Sequence, residues 1–153
     1  MRYYYDFESP AGIVTIAQED DAIIMIKTGK REIDGKRELT PLIEETITQL
    51  REYFLGDRKE FTFPMNPAGT PWQKRVWDCL LQIPYGEMRS YKDIAEMVDN
   101  PKAFRAVGLA NNRNPIWIAI PCHRVIGSDG GLVGYGGGLS VKGFLLELER
   151  ANI

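Results

Sequence analysis

His123 is the only histidine in the 153-residue chain, and it follows one of only two cysteines, Cys122. A thiol attacks as its thiolate, which it reaches through a neighbouring base or positive charge. Histidine is the side chain whose ordinary pKa suits the first role, and Arg124 adds a positive charge next along the chain. The residues just before, Ile116-Trp117-Ile118-Ala119-Ile120, read as a short apolar strand. In a strand, neighbouring side chains point to opposite faces, so contact between thiol and imidazole needs a bend or a bridging water. An inert buried cysteine beside a surface histidine fits the dipeptide equally well. The other thiol, Cys79, falls at helical spacing with Trp72, Val76, Leu80 and Ile83, which predicts a small buried hydrophobe without chemistry.

Seven of the twelve positions from Gly127 to Gly138 are glycine, and Tyr135 is the one aromatic among them. Glycine permits left-handed turns and lets a ligand approach backbone N–H groups. An aromatic in that setting suits a wall for a flat ligand, although a plain flexible loop also explains the glycines. With two cysteines and one histidine, Cys and His supply three candidate metal ligands, one fewer than a structural zinc site takes. No metal is expected.

The elements that must hold these residues follow from periodicity and punctuation. Arg2–Phe7, Ile13–Ala17 and Ile23–Lys27 read as strands, the last two closed by the acidic turn Glu19-Asp20-Asp21. Thr40 caps a helix with Pro41 at its first position, an Ile43, Ile47, Leu50, Phe54 stripe, and Gly56 as its stop. Phe61-Thr62-Phe63 reads as one more edge strand, and Pro64, Pro67 and Gly69 mark a linker. Thr70-Pro71-Trp72-Gln73 is a capping box opening a second helix. Ser90 with Asp93 opens a third, whose inner stripe is Ile94, Ala95 and Val98. Asp99-Asn100-Pro101 ends it and starts a fourth, carrying Lys102, Arg105, Asn111 and Asn112 on exposed turns. Two short helices around a tight turn resemble a helix-turn-helix, though many helical hairpins bind nothing. A last helix from Ser140 has Val141, Phe144, Leu145 and Leu148 as its core stripe, leaving Lys142, Glu147, Glu149 and Arg150 to the surface or a polar partner.

Composition sets the outer bounds. A net charge of −2 with 44% hydrophobic residues fits a folded domain and argues against disorder. No apolar run approaches the ~20 residues that span a bilayer, and Met1–Pro10 has no signal-peptide core, so a reducing, cytoplasmic setting is expected. The total hides an asymmetry. Residues 1–66 carry nine Lys+Arg against thirteen Asp+Glu, whereas 67–153 carry ten against eight. A basic second half suits an anionic partner, and an ordinary solvated face is the simpler reading of charge alone.

The run Ile120-Pro121-Cys122-His123-Arg124-Val125 strongly resembles the active-site signature of the O6-alkylguanine-DNA alkyltransferases, the methylated-DNA–protein-cysteine methyltransferase family. Further matches keep the family's order: Ile83-Pro84-Tyr85-Gly86-Glu87, Ser90-Tyr91, Asn100-Pro101-Lys102-Ala103, Arg105-Ala106-Val107-Gly108, Asn114-Pro115, Gly134-Tyr135 with Gly137, and Val141-Lys142 with Leu145-Leu146 and Glu149. They cover Thr70 to Glu149. The resemblance implies an α+β chain. A small N-terminal domain of mixed sheet and helix, ribonuclease H-like, would span 1–66. A mainly helical, winged-helix-like domain carrying the helix-turn-helix would span 67–153.

The resemblance also implies roles. Cys122 would accept the alkyl group from guanine O6 in one step, His123 would activate it through a water, and Glu149 would orient that histidine. Arg105 would fill the gap left by the flipped guanine, with Lys102, Ala106, Gly108 and Arg124 also at the DNA. Tyr91 would crowd the 3′ phosphate and hydrogen-bond the base. Tyr135 would pack on that base, with Gly136 N–H near O6, the Val125 carbonyl near the exocyclic amine, and Gly137 and Trp117 completing the pocket. Asn114 would brace the turn between recognition helix and active-site strand. The partner would be duplex DNA containing O6-alkylguanine, with O4-alkylthymine as a second candidate substrate, and the protein would act as a monomer without cofactor or membrane. Gly137 in place of a bulky residue implies an open pocket. A signalling relative without chemistry is disfavoured by Cys122, and a plain winged-helix regulator would leave Pro121–Arg124 and Glu149 without a role.

Overall fold

The structure, a computed structural model, describes residues 1–127 and 139–153, with side chains of the last segment from Val141 onward. The described chain forms two compact units.

The first unit comprises residues 1–68 and 115–119. Strands β1 (Arg2–Ser9), β2 (Gly12–Glu19) and β3 (Ala22–Thr28) form an antiparallel meander, and the short β4 (Lys36–Arg37) pairs parallel with β1. The order is therefore β3-β2-β1-β4. The expected acidic turn is present, with Asp20 in the left-handed region (φ 51°) that Asp tolerates better than most residues. Helix α1 (Pro41–Phe54) starts where a cap is available. The Thr40 hydroxyl accepts the Ile43 N–H at 3.1 Å, and Pro41 occupies a position whose N–H would be unbonded anyway. Its Ile43, Ile47, Leu50 and Tyr53 are buried with Val14, Ile16, Ala17, Ile23 and Ile26 of the sheet.

Two expectations fail here for one reason, the satisfaction of backbone donors. Phe61–Phe63 is not a strand. The Thr62 N–H donates to the buried Gln49 side chain (3.0 Å), so helix α1 occupies a donor that a ladder would need. The sheet edge instead meets the chain at Met65, where Ile23 donates to the Pro64 carbonyl and receives from Asn66. The apolar run 116–120 is not a strand either. Only Ile116 pairs, with Ile26 of β3, and the chain then turns at once. Ile118 has φ 70°, and Ala119 N–H donates to the Trp117 carbonyl across it at 2.9 Å. This is a γ-turn of the rare positive-φ kind, which a β-branched residue adopts only under strain.

The second unit comprises residues 69–114 and 120–153. Helix α2 (Pro71–Leu80) has the full Thr70–Gln73 capping box, and α3 (Tyr91–Met97) the Ser90–Asp93 one. Short strand β5 (Arg89–Ser90) precedes α3. Helix α4 (Phe104–Asn112) follows a turn that places Lys102 before the helix rather than on it. Two tryptophans join α2 to α4 one turn apart, the Trp72 indole donating to Ala106 O and that of Trp77 to Ala110 O. Trp77, 2% exposed, is therefore the core residue of α2, whereas Trp72 and Cys79 are only half-buried. A 3-10 turn (Cys122–Arg124) leads into β6 (Val125–Ile126), which pairs parallel with β5. Helix α5 (Leu139–Ala151) closes the chain. Its buried stripe is Lys142, Leu145 and Glu149, and Phe144 is exposed, so the inward face is rotated from the apolar one expected.

Candidate active site

The 3-10 turn supplies a bend in place of an extended Cys122-His123. Pro121 (φ −81°, ψ 65°) sits at the centre of a γ-turn in which Cys122 N–H donates to Ile120 O at 2.8 Å. Arg124 N–H then bonds Pro121 O, closing the turn. Two asparagines at the end of α4 hold it in place. Asn114 Nδ2 donates to Ile120 O (2.7 Å), and Asn111 Nδ2 to Cys122 O (3.3 Å). Cys122 is 5% exposed and His123 wholly buried. Asn111 was expected at the surface. It is buried because its amide spans the nucleophile's own backbone.

Four donors converge on the Glu149 carboxylate. His123 Nε2 lies 2.6 Å from Oε2, Arg124 Nε 2.8 Å from Oε1, Arg124 Nη2 3.0 Å from Oε2, and Gly86 N–H 3.1 Å from Oε1. Arg124 Nη1 donates to Ile83 O at 2.8 Å, and the guanidinium lies 5.6 Å from the centre of the Tyr85 ring. Gly86 reaches the carboxylate through a left-handed turn (φ 79°), where a side chain would also meet Ile153. Burial alone would push the Glu149 carboxyl up, but the hydrogen bonds of His123 and Arg124, with the Arg124 charge, outweigh it and hold it well below the usual range. Burial lowers the His123 pKa, with Arg124 and Lys142 adding to the effect and Glu149 opposing it. The imidazole is thus neutral, and its Nε2–H donates to an ionised carboxylate. Nδ1 is buried without a hydrogen-bond partner among the described residues, the arrangement of a general base.

Tyr91, the first residue of α3, is half-buried. Burial and the nearby Cys122 raise its pKa, while the Asn111 amide lowers it by hydrogen bonding, so the phenol stays protonated. Lys142 is fully buried and donates to Val125 O, with its ammonium 6.0 Å from the centre of the Tyr91 ring. Burial lowers the Lys142 pKa and the proximity of Cys122 raises it. A cation and a phenol therefore lie near one thiol, with a neutral base on the next residue. Cys79 has no such setting, and burial pushes its thiol up.

One expected position is corrected. Arg124 is not at a DNA surface. It is 7% exposed, with its guanidinium nitrogens turned to Glu149 and Ile83. Trp117 belongs to the first unit, where its backbone N–H donates to Ile26 O and the residue is 5% exposed. The Val125 carbonyl already accepts from Lys142, which leaves one acceptor direction for any base. Arg105 and Ala106 lie exposed on the first turn of α4, and Lys102 is exposed before it. A Cβ at Gly108 would stand 3.8 Å from the Tyr91 ring, so the helix packs closely against that phenol. Tyr135, Gly136 and Gly137 lie outside the described residues. Sequence reasoning missed Asn111, Lys142, Tyr85 and Gly86 as parts of the site. Their signal was the ordered motifs in which three of them stand, which give positions but not contacts.

Comparison with known proteins agrees with this architecture. The 6-O-methylguanine DNA methyltransferase, ribonuclease-like domain matches residues 1–67, and the corresponding DNA binding domain matches residues 71–151. The chain belongs to the 6-O-methylguanine DNA methyltransferase family. Among its relatives, the methylated-DNA–protein-cysteine methyltransferase of Methanosarcina acetivorans is 49% identical over 152 residues, covering 96% of this chain and 97% of that one. The constitutive enzyme of that name from Bacillus subtilis is 46% identical over 161 residues, covering 99% and 98%. Among solved structures, Mycobacterium tuberculosis O6-methylguanine methyltransferase superposes with a TM-score of 0.91 at 41% identity, covering 100% of this chain and 95% of that one. The OGT of the same organism in complex with DNA gives 0.91 at 43%, covering 98% and 94%.

Proposed function

We propose that this protein repairs DNA by taking the alkyl group of O6-alkylguanine onto Cys122, once per molecule. The observation that carries the reading is the Cys122–His123–Arg124 turn closed on Glu149, in a chain of this family. His123 Nδ1 receives the thiol proton through a water. The Cys122 sulfur then attacks the alkyl carbon, the S–C bond forms as the C–O6 bond breaks, and the electron pair stays on the purine. The Tyr91 hydroxyl donates toward the base as that charge develops. The product is a thioether, which no group in the site hydrolyses, so the protein is consumed.

Guanine O6 in a duplex is out of reach of a thiol 5% exposed, so the base must leave the stack at a cost of a few kcal/mol. Arg105, exposed at the start of α4, is the side chain we assign to the vacated space. Lys102, Ala106 and Gly108 face the same duplex, and Asn114 keeps the nucleophile's turn in register. The domains we assign are 1–66 and 67–153, with the monomer acting in the cytoplasm, where DNA and reducing conditions coincide. No helix among the described residues is long and apolar enough to cross a membrane.

The test is intact-mass measurement after mixing with O6-methylguanine duplex. One methyl group should be gained, on the peptide containing Cys122. An unchanged mass would overturn the reading.

A further inference from the structure

We propose that Arg124 is a positioning residue for the proposed alkyl transfer, its guanidinium clamping both oxygens of Glu149 so that His123 stays a neutral imidazole with its proton on Nε2. The geometry is a closed set. Arg124 Nε and Nη2 take one Glu149 oxygen each, at 2.8 and 3.0 Å, and Nη1 anchors the fork on Ile83 O at 2.8 Å. Glu149 Oε2 then has His123 Nε2 at 2.6 Å, while His123 Nδ1 has no partner among the described residues. A planar fork with fixed donors sets the carboxylate plane in a way that a single ammonium does not.

The electrostatic consequence follows from charge count. A lone buried carboxylate beside His123 would favour the imidazolium, whose Nδ1 carries a proton and accepts none. Burial opposes that pull, and the permanent charge of Arg124 adds to the opposition. The groups around the imidazole are Glu149 and Lys142 from α5, and Cys122 and Arg124 from its own turn. Tyr85 faces Arg124 and Glu149, and Tyr91 faces Cys122. Among the cations, Arg124 touches the carboxylate directly and Lys142 is turned to Val125 O. The sequence places Arg124 beside the nucleophile as though for a phosphate, but the fold turns it inward.

His123 is the only histidine, so its imidazole nitrogens give one set of signals in a 15N-labelled sample. In the unmodified protein those signals should report neutral imidazole with the proton on Nε2. Arg124→Met should raise the His123 titration point by at least one pH unit and move the acidic limb of the transfer-rate profile with it. Arg124→Lys should restore most of the shift but lose the single tautomer. Should Arg124→Met not fold, Arg124→Gln, which keeps a polar side chain without the charge or the fork, carries the same test, and the titration point should again rise. Coincident titration curves in either comparison would overturn the proposal. The imidazole signals are read without any alkyl substrate, so failure of the transfer reading and failure of the Arg124 role are separate outcomes.

Discussion

Glu149 shows why a helix buries two of its charges while exposing a phenylalanine. A buried carboxylate is costly alone, yet here four donors meet it, and Lys142 two turns earlier has the Val125 carbonyl. The pH dependence of stability follows from the same groups. Burial holds His123 below its ordinary pKa, so below about pH 6.5 the unfolded chain binds a proton that the folded chain refuses. Stability therefore falls as pH drops through that point, by up to about 1.4 kcal/mol per pH unit. Glu149, held low in the folded state, adds a second loss as pH falls below about 4.3. Thermal melts should show the first loss setting in as pH falls below about 6.5, and His123→Asn should flatten that segment; an equal slope in the variant would assign the titration to another group. Asn111→Leu removes the amide from Cys122 O and the Tyr91 hydroxyl. It should cost about 1–3 kcal/mol in denaturant melts and slow transfer. Loss of stability with no change in rate would make Asn111 purely structural.

The helices were the most legible elements, because their starts are written in side chains that satisfy otherwise unbonded N–H groups. Thr40, Thr70 and Ser90 all cap as their spacing predicts, and Thr70→Ala should destabilise by about 1 kcal/mol in chemical denaturation. The apolar runs 61–63 and 116–120 were misread as strands because composition records burial, whereas strand identity depends on where backbone donors go. Gln49 takes one run's donor, and the Trp117–Ala119 turn ends the other. The site was legible as a set of residues and illegible as a set of contacts. Nothing in the order Pro-Cys-His-Arg says that the arginine faces inward, since its carboxylate partner is 25 residues away. At the α3–α4 level, Arg105→Ala should slow repair of duplex far more than reaction with free O6-benzylguanine, measured as two single-turnover rates. Equal losses would remove Arg105 from the base-flipping step.

For the whole molecule, a net charge of −2 is an average over residues 1–66 at −4 and residues 67–153 at +2. Duplex binding then rests on a handful of cations. Lys92, Lys102, Arg105 and Arg113 are exposed around α3 and α4, while Arg124 and Lys142 are buried and contribute none to a phosphate surface. Four phosphate contacts give a log–log salt slope no steeper than about −4. Fluorescence anisotropy across a salt series measures it, and a slope twice as steep would place further cations of this chain on the DNA.

The pairing of Ile26 with Ile116 has a consequence for how the chain is made. A ribosome that has released the first seventy residues has released the helix and the whole meander. It still retains the segment that donates to Ile26 O and accepts from Ile26 N–H. Completing the first unit means closing a loop of roughly 90 residues, a slow, long-separation event by the standards of small domains. The strained turn at Ile118 is then among the last pieces of that unit's backbone to be fixed during synthesis.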